Sequence, residues 1–164
     1  MVTEPVRILQ KIIDQIESHA RASYDKDEEA CGYLTGPSGE PLLCDEAVPL
    51  ANLANRYHAA DPETYPRTGR TYFLIDPLKF ETVVARGKTN GRPVRVLYHS
   101  HLDVGAYFSE TDAAAATMGG DQPSYGELRY LVTSVRAGAV DDHKLFAWDA
   151  TQKSFVEIPM EIVT

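Results

Sequence analysis

With 164 residues, 43% of them hydrophobic, and 24 acidic against 16 basic side chains, the chain can bury one proper core and carries a formal net charge of −8. That balance argues against a nucleic-acid surface, since no basic cluster exists to neutralise phosphates, and no apolar run approaches membrane-spanning length. The start, Met1-Val2-Thr3-Glu4-Pro5, has no basic segment followed by an uncharged apolar one, and the only cysteines are Cys31 and Cys44, so a reducing cytoplasm is expected.

In chain order, Val6, Leu9, Ile13, Ile16 and Ala20 recur at steps of three and four, with Ile8 and Ile12 widening the stripe, which predicts an amphipathic helix packed on a sheet. Glu29 to Thr35 and Leu42 to Pro49 flank Gly36-Pro37-Ser38-Gly39 and read as a hairpin. With a loop of those four residues, Cys31 lies opposite Cys44. The run from Asn52 to Thr68 keeps no sustained period, and an irregular stretch of that length in a compact domain is often functional. Its histidine, His58, is read as a surface or substrate contact and not as a metal ligand.

Arg70 to Ile75 reads as a strand. Asp76-Pro77 is an N-cap with proline at the first helical position, and the helix is expected to reach about Arg86 with Gly87 as its stop. After the Asn90-Gly91 turn signal, Val94 to Tyr98 is a buried strand. A helix begins at Ser109 and ends at Gly119-Gly120. Leu128 to Val135, Lys144 to Trp148 and Phe155 to Met160 supply three closing strands. The order α-β-β-β-α-β-α-β-β-β predicts an α/β fold of mixed α+β character, a central mixed sheet flanked by helices, in one domain spanning residues 1–164 without repeat or linker.

The chemistry is concentrated between Tyr98 and Met118. Side chains alternate along a strand, so His99 and His101 leave it on one side while Ser100 faces away, and two imidazoles on one side can share a metal. Ser109-Glu110-Thr111-Asp112 before four alanines has the form of a helix start with Ser109 at the N-cap and Asp112 three positions on. The seven residues Leu102 to Phe108 are enough chain to fold Asp112 against both histidines. Two nitrogens and one oxygen on zinc leave a fourth position open, the arrangement of a catalytic rather than a structural site. Each pattern alone has an ordinary explanation, because a capping box needs no metal and His-x-His is a weak signal. Back to back they are hard to obtain from packing, since a fold has no need for two imidazoles aimed at a helix N-terminus.

About seventy residues upstream stands Glu29-Ala30-Cys31-Gly32-Tyr33-Leu34-Thr35-Gly36. With it the chain resembles the JAMM, or MPN-plus, metalloproteases, whose pattern is E-x-x-G-x-x-x-G followed by H-x-H-x7-S-x-x-D. Glu29, Gly32, Gly36, His99, His101, Ser109 and Asp112 match it at every signature position, and the resemblance runs from about Glu28 to Val135. The run Ala106-Tyr107-Phe108-Ser109 looks closest to the small bacterial branch, which acts on ubiquitin-like and sulfur-carrier proteins. The resemblance implies one zinc per chain held by His99, His101 and Asp112, Glu29 as general acid/base, Ser109 as a donor to the oxyanion, and an architecture related to cytidine deaminases. It implies a β-grasp partner ending in Gly-Gly and a place for the Asn52 to Thr68 run in holding that tail, with a carrier-activating enzyme as a further partner in the pathway.

These roles are physically coherent. Zinc lowers the pKa of a water from about 16 toward about 7, and a carboxylate beside that water can take its proton and hand it to the leaving amine. Glu28 faces the other way from Glu29 if the segment is extended. The residues thus point to zinc-dependent hydrolysis, and the resemblance implies that the bond cut is a peptide or isopeptide bond after the Gly-Gly of a ubiquitin-like or sulfur-carrier protein. The alternatives are a general zinc peptidase and a non-catalytic scaffold, though scaffold members typically lose ligands that are all present here. A zinc deaminase would need H-x-E with P-C-x-x-C, and the chain has no C-x-x-C. The bond type, the particular carrier and the oligomeric state are open at this level.

Overall fold

The computed structural model describes residues 4–164. Among these residues nine strands and four helices follow the order β1 (Val6–Leu9), α1 (Gln10–Asp25), β2 (Cys31–Thr35), β3 (Leu43–Cys44), β4 (Glu46–Leu50), α2 (Ala54–Ala60), α3 (Pro77–Thr89), β5 (Val94–Leu102), α4 (Glu110–Thr117), β6 (Arg129–Arg136), β7 (Ala139–Asp149), β8 (Ser154–Ile158) and β9 (Met160–Val163). Six strands form a sheet in the order β4-β2-β5-β6-β7-β8, and β3-β1-β9 form a smaller one. Within the large sheet β5 and β6 are parallel and the other pairs antiparallel, so the sheet is mixed, as expected.

The pleat of β5 sorts its residues to two cores. Val96 and Tyr98 pack with Ile12, Ile13 and Ile16 of α1 on one face. Leu97 packs on the other face, with Phe80 of α3, Ala116 of α4, Tyr130 and Val132. His99 and His101 share the parity of Leu97 and so emerge on the α3/α4 face. No helix among the described residues is long and apolar enough to cross a membrane.

Several expectations are corrected. Val6 to Leu9 is not the first turn of the helix but a strand, in which Val6 and Ile8 are buried by the two-residue alternation; the helical stripe starts at Gln10. The Leu42 to Pro49 run is two strands: Leu43–Cys44 pairs with β1, and only Glu46–Leu50 pairs with β2. The intervening loop is longer than four residues because Arg95, itself buried, donates to the carbonyls of Pro37, Glu40 and Leu43 and holds it open. Cys31 therefore faces Leu50 and His99 across its two ladders, not Cys44, and both cysteines are free and buried.

Arg70 to Ile75 joins no ladder, since the side chain of Asn52 accepts from Leu74 N and donates to Tyr72 O. The Asn52 to Thr68 run contains the short helix α2. Helix α3 passes through Gly87 to Thr89. Its stop is Asn90 followed by Gly91 at φ 77°, a left-handed position suited to glycine. Gly87 serves a close approach instead: a Cβ there would lie 2.6 Å from the carbonyl oxygen of Arg92. Phe155 to Met160 breaks at Pro159, and β9 leaves the large sheet to pair with β1.

Candidate metal centre

The site forms where the carboxyl end of β5 meets the amino end of α4. His99 and His101 are the sixth and eighth residues of β5, wholly or almost wholly buried. After the strand, Asp103 adopts φ 61°, which turns the chain back toward Ser109. Ser109 caps α4 in a reciprocal box: its Oγ accepts from Asp112 N at 3.0 Å, and its own N donates to Asp112 Oδ2 at 3.0 Å. The cap and the proposed metal set are thus one structure, because the box is what fixes Oδ2 against the imidazoles.

Asp112 Oδ2 lies 3.1 Å from His99 Nε2 and 3.2 Å from His101 Nε2, and the two Nε2 atoms are 3.2 Å apart. Tetrahedral bonds of about 2.0 Å separate their donors by about 3.3 Å. This nearly equilateral triangle has the dimensions of three corners of such a site, and His99, His101 and Asp112 form the one His/Cys/Asp/Glu group among the described residues with donor atoms close enough to share an ion. The tautomer agrees. His101 Nδ1 is 2.9 Å from the carbonyl of Gly105, which can only accept, so Nδ1 carries the proton and the Nε2 lone pair points into the triangle. A neutral His101 thereby turns that lone pair toward a carboxylate oxygen with no proton between them, a conflict that a cation resolves.

Burial alone would raise the Asp112 carboxyl. The His99 imidazole beside it and the Ser109 amide outweigh it and hold the group well below the usual carboxylate range. Glu29 goes the other way: burial first and the Asp112 carboxylate second push it up to about 9, against an opposing pull from Arg67. Glu29 is 4% exposed, and its Oε1 and Nδ1 of His99 are the buried side-chain atoms among the described residues that have no hydrogen-bond partner. A buried carboxyl oxygen without a partner, within charge range of Asp112, is the kind of group that proteins keep for chemistry.

Glu29 precedes β2, and its backbone is fixed by three neighbours. Its N donates to Gly69 O at 2.6 Å, its carbonyl accepts from Asn52 Nδ2 at 3.0 Å, and the adjacent Ala30 N donates to Ser100 Oγ at 2.8 Å. The residue between the two histidines thus ties β5 to the segment that carries the acid. Glu28 points elsewhere, accepting from Asn55 Nδ2. Gly32 has a spatial reason too, since a Cβ would meet the Tyr98 ring at 2.4 Å.

Other residues at the site escaped sequence reasoning. Phe73 stacks on His99, with ring centroids 4.6 Å apart and planes at 25°, and Tyr107 sets its ring edgewise on His101 at 5.0 Å. Asn52 gathers Glu29, Ala54, Tyr72 and Leu74 through its side chain. No motif marks Phe73 or Asn52, and Tyr107 lies in the Ala106-Tyr107-Phe108-Ser109 run with no role read for it, although the lack of period in the Asn52 run was itself a signal that side chains, not ladders, organise it. His58 stays outside the cluster and hydrogen-bonds the Tyr65 carbonyl at 2.8 Å.

A family model described as prokaryotic homologs of the JAB domain matches residues 9–150, and the chain belongs to that family. It is similar to the CysO-cysteine peptidases of Mycobacterium bovis and Mycobacterium tuberculosis, at 27% identity over 152 residues, covering 93% of this chain and 87% of theirs. Among solved structures it superposes on a protein from Desulfitobacterium hafniense with a TM-score of 0.67 at 23% identity, covering 95% of this chain and 91% of that one. A JAB1/MPN domain protein from Archaeoglobus fulgidus follows at 0.54 and 16%, covering 96% and 99%. At these identities the structural likenesses establish the fold, a JAB1/MPN fold.

Proposed function

We propose that the chain is a zinc peptidase that hydrolyses the bond after the C-terminal Gly-Gly of a sulfur-carrier or ubiquitin-like β-grasp protein. The observation that carries the reading is the donor triangle, with edges of 3.1–3.2 Å, beside a buried acid that has an unpartnered oxygen. His99, His101 and Asp112 are the ligands. The chemistry zinc supplies in such a site is Lewis acidity, which polarises a carbonyl and lowers the pKa of water toward about 7.

The rest belongs to the chain's own residues. Glu29 takes the proton of the attacking water at its carboxylate and returns it to the leaving nitrogen. Ser109 donates to the oxyanion, and its cap does not compete with this: the hydroxyl oxygen accepts from Asp112 N while its proton stays free to donate. Phe73 stacks on the His99 ring and Tyr107 packs edgewise on the His101 ring, which holds both imidazoles in place. The sulfur-carrier class is supported by the similarity to CysO-cysteine peptidases; the Gly-Gly end rests on the family resemblance, and glycine, lacking a Cβ, suits a close approach to the metal. Two buried free cysteines support a reducing compartment.

The test is a β-grasp carrier fused after Gly-Gly to a short extension, compared with the same fusion carrying Ala-Ala. Preference for Gly-Gly by at least about tenfold in kcat/KM, about 1.4 kcal/mol in transition-state binding, is expected, as is loss of turnover on chelation. Equal cleavage of both fusions, or cleavage of unfolded peptides as readily as of the folded carrier, marks a general peptidase instead.

A further inference from the structure

The two imidazoles are held in different ways. His101 Nδ1 has the Gly105 carbonyl at 2.9 Å, whereas His99 Nδ1 is buried and has no hydrogen-bond partner among the described residues. A metal-binding imidazole commonly donates its second N–H to an acceptor, and that bond fixes the turn of the ring about Cβ–Cγ. At His99 the fixing element is another ring. Phe73 stacks on it with centroids 4.6 Å apart and planes at 25°, so the imidazole cannot turn without driving an edge into its neighbour.

Phe73 lies in a segment that joins no ladder, and its grip comes from the side chain of Asn52. Asn52 Nδ2 donates to Tyr72 O at 3.0 Å and Oδ1 accepts from Leu74 N at 3.1 Å, so one carboxamide binds both peptide groups that flank Phe73. A residue of a neighbouring strand in a parallel ladder offers its N–H and C=O in the same pattern. Leu53 N adds a bond to Leu74 O at 2.8 Å. The same Nδ2 donates to Glu29 O at 3.0 Å and the same Oδ1 accepts from Ala54 N at 2.9 Å, which fills all four hydrogen-bonding positions of the amide. Packing around it is close, since a Cβ on Gly69 would lie 3.4 Å from Asn52 Nδ2 and 2.9 Å from Glu28 Cβ. One amide thus sets both the ring that lies on His99 and the backbone of the buried acid.

We propose that Asn52 is a positioning residue of the metal centre. Through Phe73 it holds His99 in the ligating pose, in place of the hydrogen bond that His101 has and His99 lacks, and it ties that ligand to the segment carrying Glu29. The inference rests on the metal reading above and goes beyond it by naming what sets the affinity of the site.

Zinc affinity is to be measured by competition with a chromophoric chelator in wild type, Asn52→Ala, Phe73→Leu, Phe73→Tyr and the Asn52→Ala/Phe73→Leu double variant, with the Tm of each metal-free chain as a control. Asn52→Ala and Phe73→Leu are each expected to bind about tenfold more weakly, and Phe73→Tyr, which keeps the stacked ring, to stay within about twofold of wild type. The double variant should lie within about twofold of Phe73→Leu alone, because the amide acts through the ring. A merely structural Asn52 would lower Tm with zinc affinity unchanged, and two independent effects would multiply to about a hundredfold in the double variant. Either outcome overturns the inference, as does unchanged affinity in Phe73→Leu. Should Asn52→Ala fail to fold, Asn52→Asp, which keeps the acceptor and loses both donors, takes its place with the same expectation. If wild type binds no zinc the metal reading falls, and NMR of the metal-free chain still decides the inference. Overhauser contacts between the Phe73 and His99 rings should be present in wild type and lost in the Asn52 variant, and their persistence there overturns it.

Discussion

Arg70 Nη2 lies 3.2 Å from Asp103 Oδ2, and this pair joins the two sides of the site. Arg70 follows Gly69, whose carbonyl holds Glu29 N; Asp103 follows β5 by one residue and opens the loop in which the Gly105 carbonyl fixes the His101 tautomer. Asp103 also accepts from Tyr24 Oη and Ala137 N, so one carboxylate gathers the end of α1, the β6–β7 turn and the Arg70 segment. These bonds, the Ala137 amide first, hold its carboxyl below the usual range.

Asp103→Ala is therefore expected to loosen the loop that presents Gly105 and to lower zinc affinity by about tenfold, as supporting partners of metal ligands commonly do. Asp103→Asn keeps an acceptor for Ala137 and tolerates the left-handed backbone, so its loss should be smaller. Competition against a chromophoric chelator reads both values, and unchanged affinity in the alanine variant contradicts the coupling.

The raised pKa of Glu29 fixes a pH dependence in the metal-free chain. Unfolded, the group titrates near 4.5; folded, it titrates near 9. Between these values the native state binds the extra proton, so the contribution of this group is fully present below about pH 4.5 and is lost as pH rises toward 9. Glu29→Gln, which stays neutral, should match wild type at pH 4.5 and exceed its Tm by about 5 °C or more at pH 8. Thermal unfolding at the two pH values measures this. With zinc bound the same variant should keep its metal and lose about two to four powers of ten in turnover.

Burial pushes the Cys31 thiol up to about 12, with Glu29 adding to it, and the Cys44 thiol up to about 11. Both are neutral and enclosed at pH 8, where thiolate is the reactive form. Neither should react with a thiol-titrating disulfide reagent in the native protein, and both should react on denaturation. Rapid native labelling of either would contradict the packing around β2.

A methyl group at position 32 has no space beside the Tyr98 ring, whose hydroxyl is 2.7 Å from His19 Nδ1 and so is not free to swing aside. Gly32→Ala should cost about 1–3 kcal/mol in denaturant unfolding. A neutral substitution would mean that the β2–β5 contact is slack.

The pattern of what was legible in the sequence follows from how each feature is encoded. His99 and His101 could be set on one face from strand parity alone, and Ser109 with Asp112 from the capping box, since both are short-range geometries. The expected mixed sheet with helices on its faces is the observed one. The first strand was hidden because Val6, Ile8 and Leu9 satisfy a helical stripe as well as an alternating one, and only pairing with β3 and β9, distant in sequence, decides between them. The Cys31 register is not legible locally because Arg95, far along the chain on β5, sets the loop's length through three carbonyls. Arg70 to Ile75 has strand composition, yet the Asn52 side chain takes the backbone groups that a ladder would need.

Metal stoichiometry is the most direct test of the central claim. Protein purified without chelator should carry one zinc per chain by elemental analysis, and Asp112→Ala, which breaks the triangle at its shared oxygen, should carry well under half of that while the remaining helix cap residues stay in place. Wild-type protein with well under one zinc per chain, or an Asp112→Ala variant that keeps a full equivalent, would contradict the assignment of His99, His101 and Asp112 as the metal site.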